Sequence, residues 1–113
     1  MPKYLFLMYN EKMEMPNNPT PEQIENGTKP WRDYIYPLEA KGTFVSANPV
    51  SWEGKMLTET GVEDYQPQKI DLGGYMIITA NDMDEAIEIA KQSPSYKMKA
   101  GPITIRKINE VNI

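Results

Sequence analysis

LGGYMIITANDMDEAIEIAKQSP, residues Leu72–Pro94, reads as a strand that passes through a short cap into an amphipathic helix. Tyr75, Met76, Ile77, Ile78 and Thr79 form a nearly continuous aromatic, apolar and β-branched run, which suits a strand covered on both faces. Asn81 or Asp82 supplies the helix cap, because a short side-chain oxygen accepts a bond from a backbone amide that has no intrahelical partner. Asp82 with Glu85 three residues later has the spacing of a capping box, and Asp84 and Glu85 place negative charge against the helix N-terminus. Met83, Ala86, Ile87 and Ala90 fall on one helical face, opposite Asp84, Glu85, Glu88 and Lys91. Pro94 disfavours helical geometry at Ser93 and predicts the helix end there.

Outward from this unit the chain punctuates itself. Lys3–Tyr9 predicts a first strand, and the polar stretch Asn10–Thr20 with Pro16 and Pro19 predicts a loop. Thr20, Pro21 and Gln23 predict a capped helix start. Gly27 and Pro30 predict an interior break, with a second cap at Thr28, and Pro37 predicts a kink. Trp31, Tyr34, Ile35 and Leu38 make the apolar stripe, and Gly42 ends the helix. Thr43–Ala47 predicts a second strand. Val50–Trp52 and Lys55–Glu59 predict a hairpin turning at Glu53–Gly54. Thr60–Asp71 predicts a polar loop, and Ile103–Ile108 the last strand. Strand, helix, strand, hairpin, strand, helix, strand predicts one α+β domain over residues 1–113. It is a ferredoxin-like sandwich with an antiparallel sheet and two helices on one face. The other sheet face would be bare, which predicts a homodimer.

Composition sets exclusions. The 113 residues carry a net charge of −4, so nucleic acid is not an expected partner, since phosphate binding needs a basic surface. No apolar run approaches the roughly 20 residues of a membrane-spanning helix. No signal peptide is read at the N-terminus, and the absence of cysteine fits a cytoplasmic location. Histidine is absent as well. Zinc sites built on Cys or His, and catalytic triads that need them, are therefore excluded. Acid–base chemistry falls to Asp, Glu, Tyr or Lys, and no metal or other cofactor is expected.

Three groups of residues are candidates for a site. The carboxylates Glu59, Glu63, Asp64 and Asp71 fit either an acid–base or hard-cation cluster or a solvated acidic loop. Tyr9, Trp31, Tyr34 and Tyr75 fit either the wall of a pocket for a flat organic ligand or ordinary core and interface packing. Arg106 fits either a carboxylate clamp or a surface ion pair. Gly73–Gly74 precedes a strand rather than a helix, so it predicts close strand approach or a bulge and not a phosphate loop.

The Gly-Gly-Tyr strand, the capped "DEA" helix ending in Pro, and the strand ITIRKI resemble the YCII-related proteins of the branch called DGPF. The N-terminal KYLFLMY and the helix ending in Ala-Lys-Gly are similar too. The resemblance implies a dimeric α+β barrel of two face-to-face sheets, in a family mostly of unknown function with some enzyme-like members, including a dehydrochlorinase-like group. The Asp-Gly-Pro-Phe motif that names the branch is absent. Counted back from Gly73 without a gap it would span Val62–Tyr65, where only the aromatic Tyr65 matches in kind; the alternative is Thr60–Gly61 as the Asp-Gly equivalent, with an insertion after it. Enzyme-like members carry a His on the first long helix and an Asp near its end. Counted back from Gly42, these fall on Trp31 and Ala40, so that dyad does not carry over. The expected function is a homodimeric small-molecule-binding domain, with Tyr9, Trp31, Tyr34, Tyr65, Tyr75 and Arg106 as ligand-binding candidates. Its pocket would lie between sheet and first helix, near Trp31, under Thr60–Asp71. The alternatives are a cofactor-independent lyase or monooxygenase-like enzyme with Tyr9 or Asp64 as the acid–base group, and a protein partner of a transcription regulator.

Overall fold

A computed structural model describes residues 1–12 and 17–112. The elements are β1 (Lys3–Glu11), α1 (Pro21–Ala40), β2 (Phe44–Pro49), β3 (Lys55–Thr58), β4 (Gly61–Asp64), β5 (Ile70–Thr79), α2 (Met83–Lys91), α3 (Pro94–Lys97) and β6 (Ile103–Lys107). Part of the expected loop Asn10–Thr20, residues 13–16, lies outside the described residues. Four strands form an antiparallel sheet in the order β2-β5-β1-β6, and β3 and β4 pair separately. This is the α+β sandwich expected from the element order.

Strand alternation divides the sheet into two chemically different faces. Tyr4, Phe6, Met8, Met76 and Ile78 point to one face and are buried. Phe44, Ala47, Ile103 and Ile105 extend that layer. Trp31, Tyr34 and Leu38 of α1, with Ala86, Ile89 and Ala90 of α2, close over it. The opposite face, called the outer face, carries Leu5, Leu7, Tyr75, Ile77, Ser46, Asn48, Thr104 and Arg106, and neither helix covers it.

Local chemistry sets the helix ends. Thr20 and Gln23 make a reciprocal capping box at α1. Asp82 rather than Asn81 caps α2, accepting from the Glu85 amide at 2.8 Å. The return half of that box is not made, because the Glu85 carboxylate takes the Asn81 side-chain amide instead. Gly42 takes a φ of +74° just past α1, a backbone state that favours glycine. Ser93–Pro94 ends α2 and also starts the next turn: Ser93 is buried and accepts the Tyr96 amide as the cap of α3.

Four expectations are corrected. First, α1 is one helix with Pro30 and Pro37 inside it. Thr28 does not cap, since its hydroxyl donates to the Ile24 carbonyl one turn earlier. Ion pairs Glu25–Arg32 and Lys29–Asp33 straddle Pro30, and the next turns are held on the core, so tertiary packing overrides the local cost. Second, the hairpin turns at Glu59–Thr60, between β3 and β4. Gly54 is not in the turn but at the hairpin base, where its carbonyl accepts the Tyr65 amide. Third, Thr60–Asp71 is therefore half strand, contributing β4 and the start of β5. Fourth, Met83 is exposed and Ile89 takes its place in the α2 stripe.

The paired glycines are explained by close approach. The β1–β5 register runs from Met8 opposite Gly74 to Tyr9 opposite Leu72, so Gly73 is the extra residue of a bulge. A Cβ at Gly73 would lie 1.8 Å from the Asn10 side-chain oxygen, and one at Gly74 would lie 3.2 Å from the Asn48 carbonyl of β2.

Candidate functional site

The most distinctive polar arrangement on the outer face is built by two neighbouring strands. β5 presents Tyr75, and β2 presents Ser46 and Asn48, two residues apart and therefore on the same face. The Tyr75 hydroxyl lies 2.9 Å from Ser46 Oγ and accepts the Asn48 side-chain amide at 3.2 Å. These two bonds favour the phenolate and hold the Tyr75 hydroxyl below the ordinary tyrosine pKa, against a smaller opposing effect of burial. Leu7 pairs with Tyr75, and Leu5 with Ile77, so an apolar strip runs beside the polar cluster. A hydroxyl held by two partners next to half-buried aliphatic groups can orient a flat polar ring, or exchange a proton with it.

The six ligand-binding candidates do not converge. Trp31 and Tyr34 lie on the helical side of the sheet, their rings edge to face at 6.0 Å. Tyr34 donates to the Ile89 carbonyl at 2.7 Å, and burial pushes its hydroxyl pKa strongly up. It therefore ties α1 to α2. Tyr75 and Arg106 share the outer face but sit two strands apart. Arg106 has no carboxylate at ion-pair distance among the described residues. Tyr9 lies on β1 opposite the β5 bulge at Gly73, its amide bonded to the Pro102 carbonyl. Tyr65 donates to the Asp71 carboxylate, which also accepts the Gln68 and Leu72 amides.

Nor do the loop carboxylates form a centre. Asp71 is committed to that turn, and the Tyr65 hydroxyl with the two amides holds its carboxyl below the usual range. Asp64 pairs with Lys55 across the exposed β3–β4 hairpin. Glu59 and Glu63 are exposed on the same hairpin. Among the described residues no three His, Cys, Asp or Glu side chains gather as a metal-binding group. No helix is long and apolar enough to cross a membrane.

Two open recesses flank the sheet. One, of about 740 Å³, runs over Tyr34, Pro37, Leu38, Ile89 and Met98 on the helical surface. The other lies at the hairpin base, between Trp52, Tyr65 and Pro67. Trp31 lines neither, and the hairpin does not cover the first. Ser46 and Asn48 are the site residues that sequence reasoning missed. The usable signal was polar residues at i and i+2, but strand β2 was expected to stop at Ala47, one residue before Asn48.

Comparison with known proteins agrees with this architecture. The YCII-related domain family profile matches residues 2–112. No curated protein is similar enough in sequence to match. Solved structures do match, among them 5-chloro-2-hydroxyhydroquinone dehydrochlorinase (TftG) from Burkholderia phenoliruptrix AC1100, in complex with 2,5-dihydroxybenzoquinone. The two share 14% sequence identity with a TM-score of 0.57, over 96% of this chain and 95% of that one. The likeness is one of fold.

Proposed function

The chain belongs to the YCII-related domain family, and from that premise we propose that it is a homodimeric small-molecule-binding domain whose ligand sits on the outer sheet face at Tyr75. The carrying observation is the Tyr75 hydroxyl, held by Ser46 and Asn48 beside Leu5, Leu7 and Ile77, on a face that its own helices leave uncovered. Two such faces packed together would form a dimeric barrel and enclose the cluster, removing water from around the hydroxyl. In that drier setting its hydrogen bonds to a ligand strengthen. The ligand class is a flat ring bearing hydroxyl or carbonyl oxygens, which the phenol and the Asn48 amide recognise by hydrogen bonding and the leucines by contact. The bound benzoquinone of the dehydrochlorinase is a ring of this class.

The His-Asp dyad of enzyme-like relatives has no counterpart here, since the chain has no histidine. A second reading, a cofactor-independent enzyme, is favoured by one observation: the Ser46 and Asn48 hydrogen bonds hold the Tyr75 hydroxyl below its ordinary pKa, which suits it to exchange a proton with a bound ring. Titration calorimetry with 2,5-dihydroxybenzoquinone as probe tests the binding reading. The wild type is expected to bind one probe per chain, and Tyr75→Phe to bind at least about tenfold more weakly, the worth of one well-made hydrogen bond of about 1.4 kcal/mol. Equal affinity in the two proteins would remove Tyr75 from the site.

A further inference from the structure

Resting on that homodimer, we infer that the β3–β4 hairpin is an arm that reaches the second copy and lays its tip on the rim of that copy's outer sheet face, at the edge strand β6 beside Arg106. All eight strand residues of the hairpin are exposed. Leu57 and Val62 stand directly opposite each other and are 77% and 64% exposed, so they form one apolar patch near the tip. A two-stranded hairpin standing alone in water is at best marginally stable. This one is tied to its own chain at the base, through Gly54, Tyr65 and Asp71. The chain is also more extended than its length requires, with a radius of gyration of 16.0 Å. A compact domain of this size has roughly 13 Å.

Charge selects the occupant. Glu59 at the turn makes no ion pair among the described residues, and Asp64, on the same hairpin face as Leu57 and Val62, is neutralised by Lys55, while Glu63 pairs with Met56 on the other face. On the outer face, along the ladder from Lys3 to Met8, the charged residues are Lys3 and Arg106, both cations. Lys3 pairs with Glu110 at 3.6 Å, and Arg106 is left without a carboxylate among the described residues. An arm with an apolar patch and the unpaired Glu59 carboxylate at its tip thus meets a cationic, apolar-striped face, and both belong to the same chain. The arm leaves the sheet between β2 and β5, the strands that carry Ser46, Asn48 and Tyr75, so it would also wall the ligand space from the side.

The absence of cysteine makes the test clean. Equimolar Glu59→Cys and Arg106→Cys chains are mixed and treated with a short bismaleimide, with Glu22→Cys replacing Glu59→Cys as the control. The expected result is a covalent heterodimer at least tenfold faster than in the control mixture. Separately, Leu57→Ser/Val62→Ser is expected to raise the dimer dissociation constant at least tenfold, and being exposed these residues leave the fold intact. If the wild type is a dimer and the Glu59→Cys/Arg106→Cys mixture crosslinks no faster than the control mixture, or the double variant dissociates as the wild type does, the arm is overturned while the dimer stands. A wild-type monomer overturns both.

Discussion

Gly101→Ala is expected to lower the unfolding free energy by on the order of 3 kcal/mol, the upper range for overpacking a site that cannot give way. An added Cβ would lie 2.0 Å from the Tyr9 carbonyl oxygen and 2.9 Å from its carbon. Both are backbone atoms, so no side chain can swing aside. Relief requires β1 to part from the segment entering β6, just where the Tyr9 amide bonds to the Pro102 carbonyl at 3.0 Å. Gly27→Ala is the matched control. Nothing lies within 4 Å of its Cβ, and it sits inside α1, where alanine gains about 0.5–1 kcal/mol over glycine. Urea unfolding followed by circular dichroism should move the two midpoints in opposite directions. Similar midpoints would mean that β6 does not approach β1 as described.

Phe6→Ala is expected to cost about 3–5 kcal/mol, the usual range for truncating a buried aromatic side chain. Phe6 is fully buried at the centre of the sheet, opposite Met76 on β5 and Ile105 on β6. Neighbours on both sides are fixed by the ladder, so the space collapses poorly and the cavity term stays large. Domains of this kind hold only about 5–15 kcal/mol in total, so the variant should be largely unfolded by mild heating. Val45→Ala, at an exposed position beside the β2 irregularity, should stay within about 0.5 kcal/mol. Thermal unfolding separates the two, and a Phe6→Ala protein as stable as Val45→Ala would contradict the assignment of the buried face.

The sheet and its covered face were legible in the sequence because period-two alternation and a capped helix leave strong local signatures. Leu72–Pro94 gave β5, the Asp82 cap and most of α2 directly. The errors occurred where tertiary contacts outweigh local preference. Pro30 predicts a break, yet the turns on either side of it are held by ion pairs and by Trp31, Tyr34 and Leu38 on the core. Gly54 looks like a turn, yet its carbonyl is used by Tyr65 at the hairpin base. The candidate site was less legible. Tyr75 stood out as an aromatic on a strand, but its partners Ser46 and Asn48 are distant in sequence, and strand register alone brings them together. Trp31 and Tyr34 share helical phase with the core, so aromatic content alone does not distinguish packing from a ligand wall.

Sedimentation velocity of the wild-type chain at micromolar concentration tests most directly whether the outer face is an interface. The expected species has twice the 13.0 kDa chain mass and reverts to the single-chain mass on Leu7→Asp, which places an unpaired charge on that face. A wild-type species at the single-chain mass, or a Leu7→Asp protein that stays folded and dimeric, would contradict it.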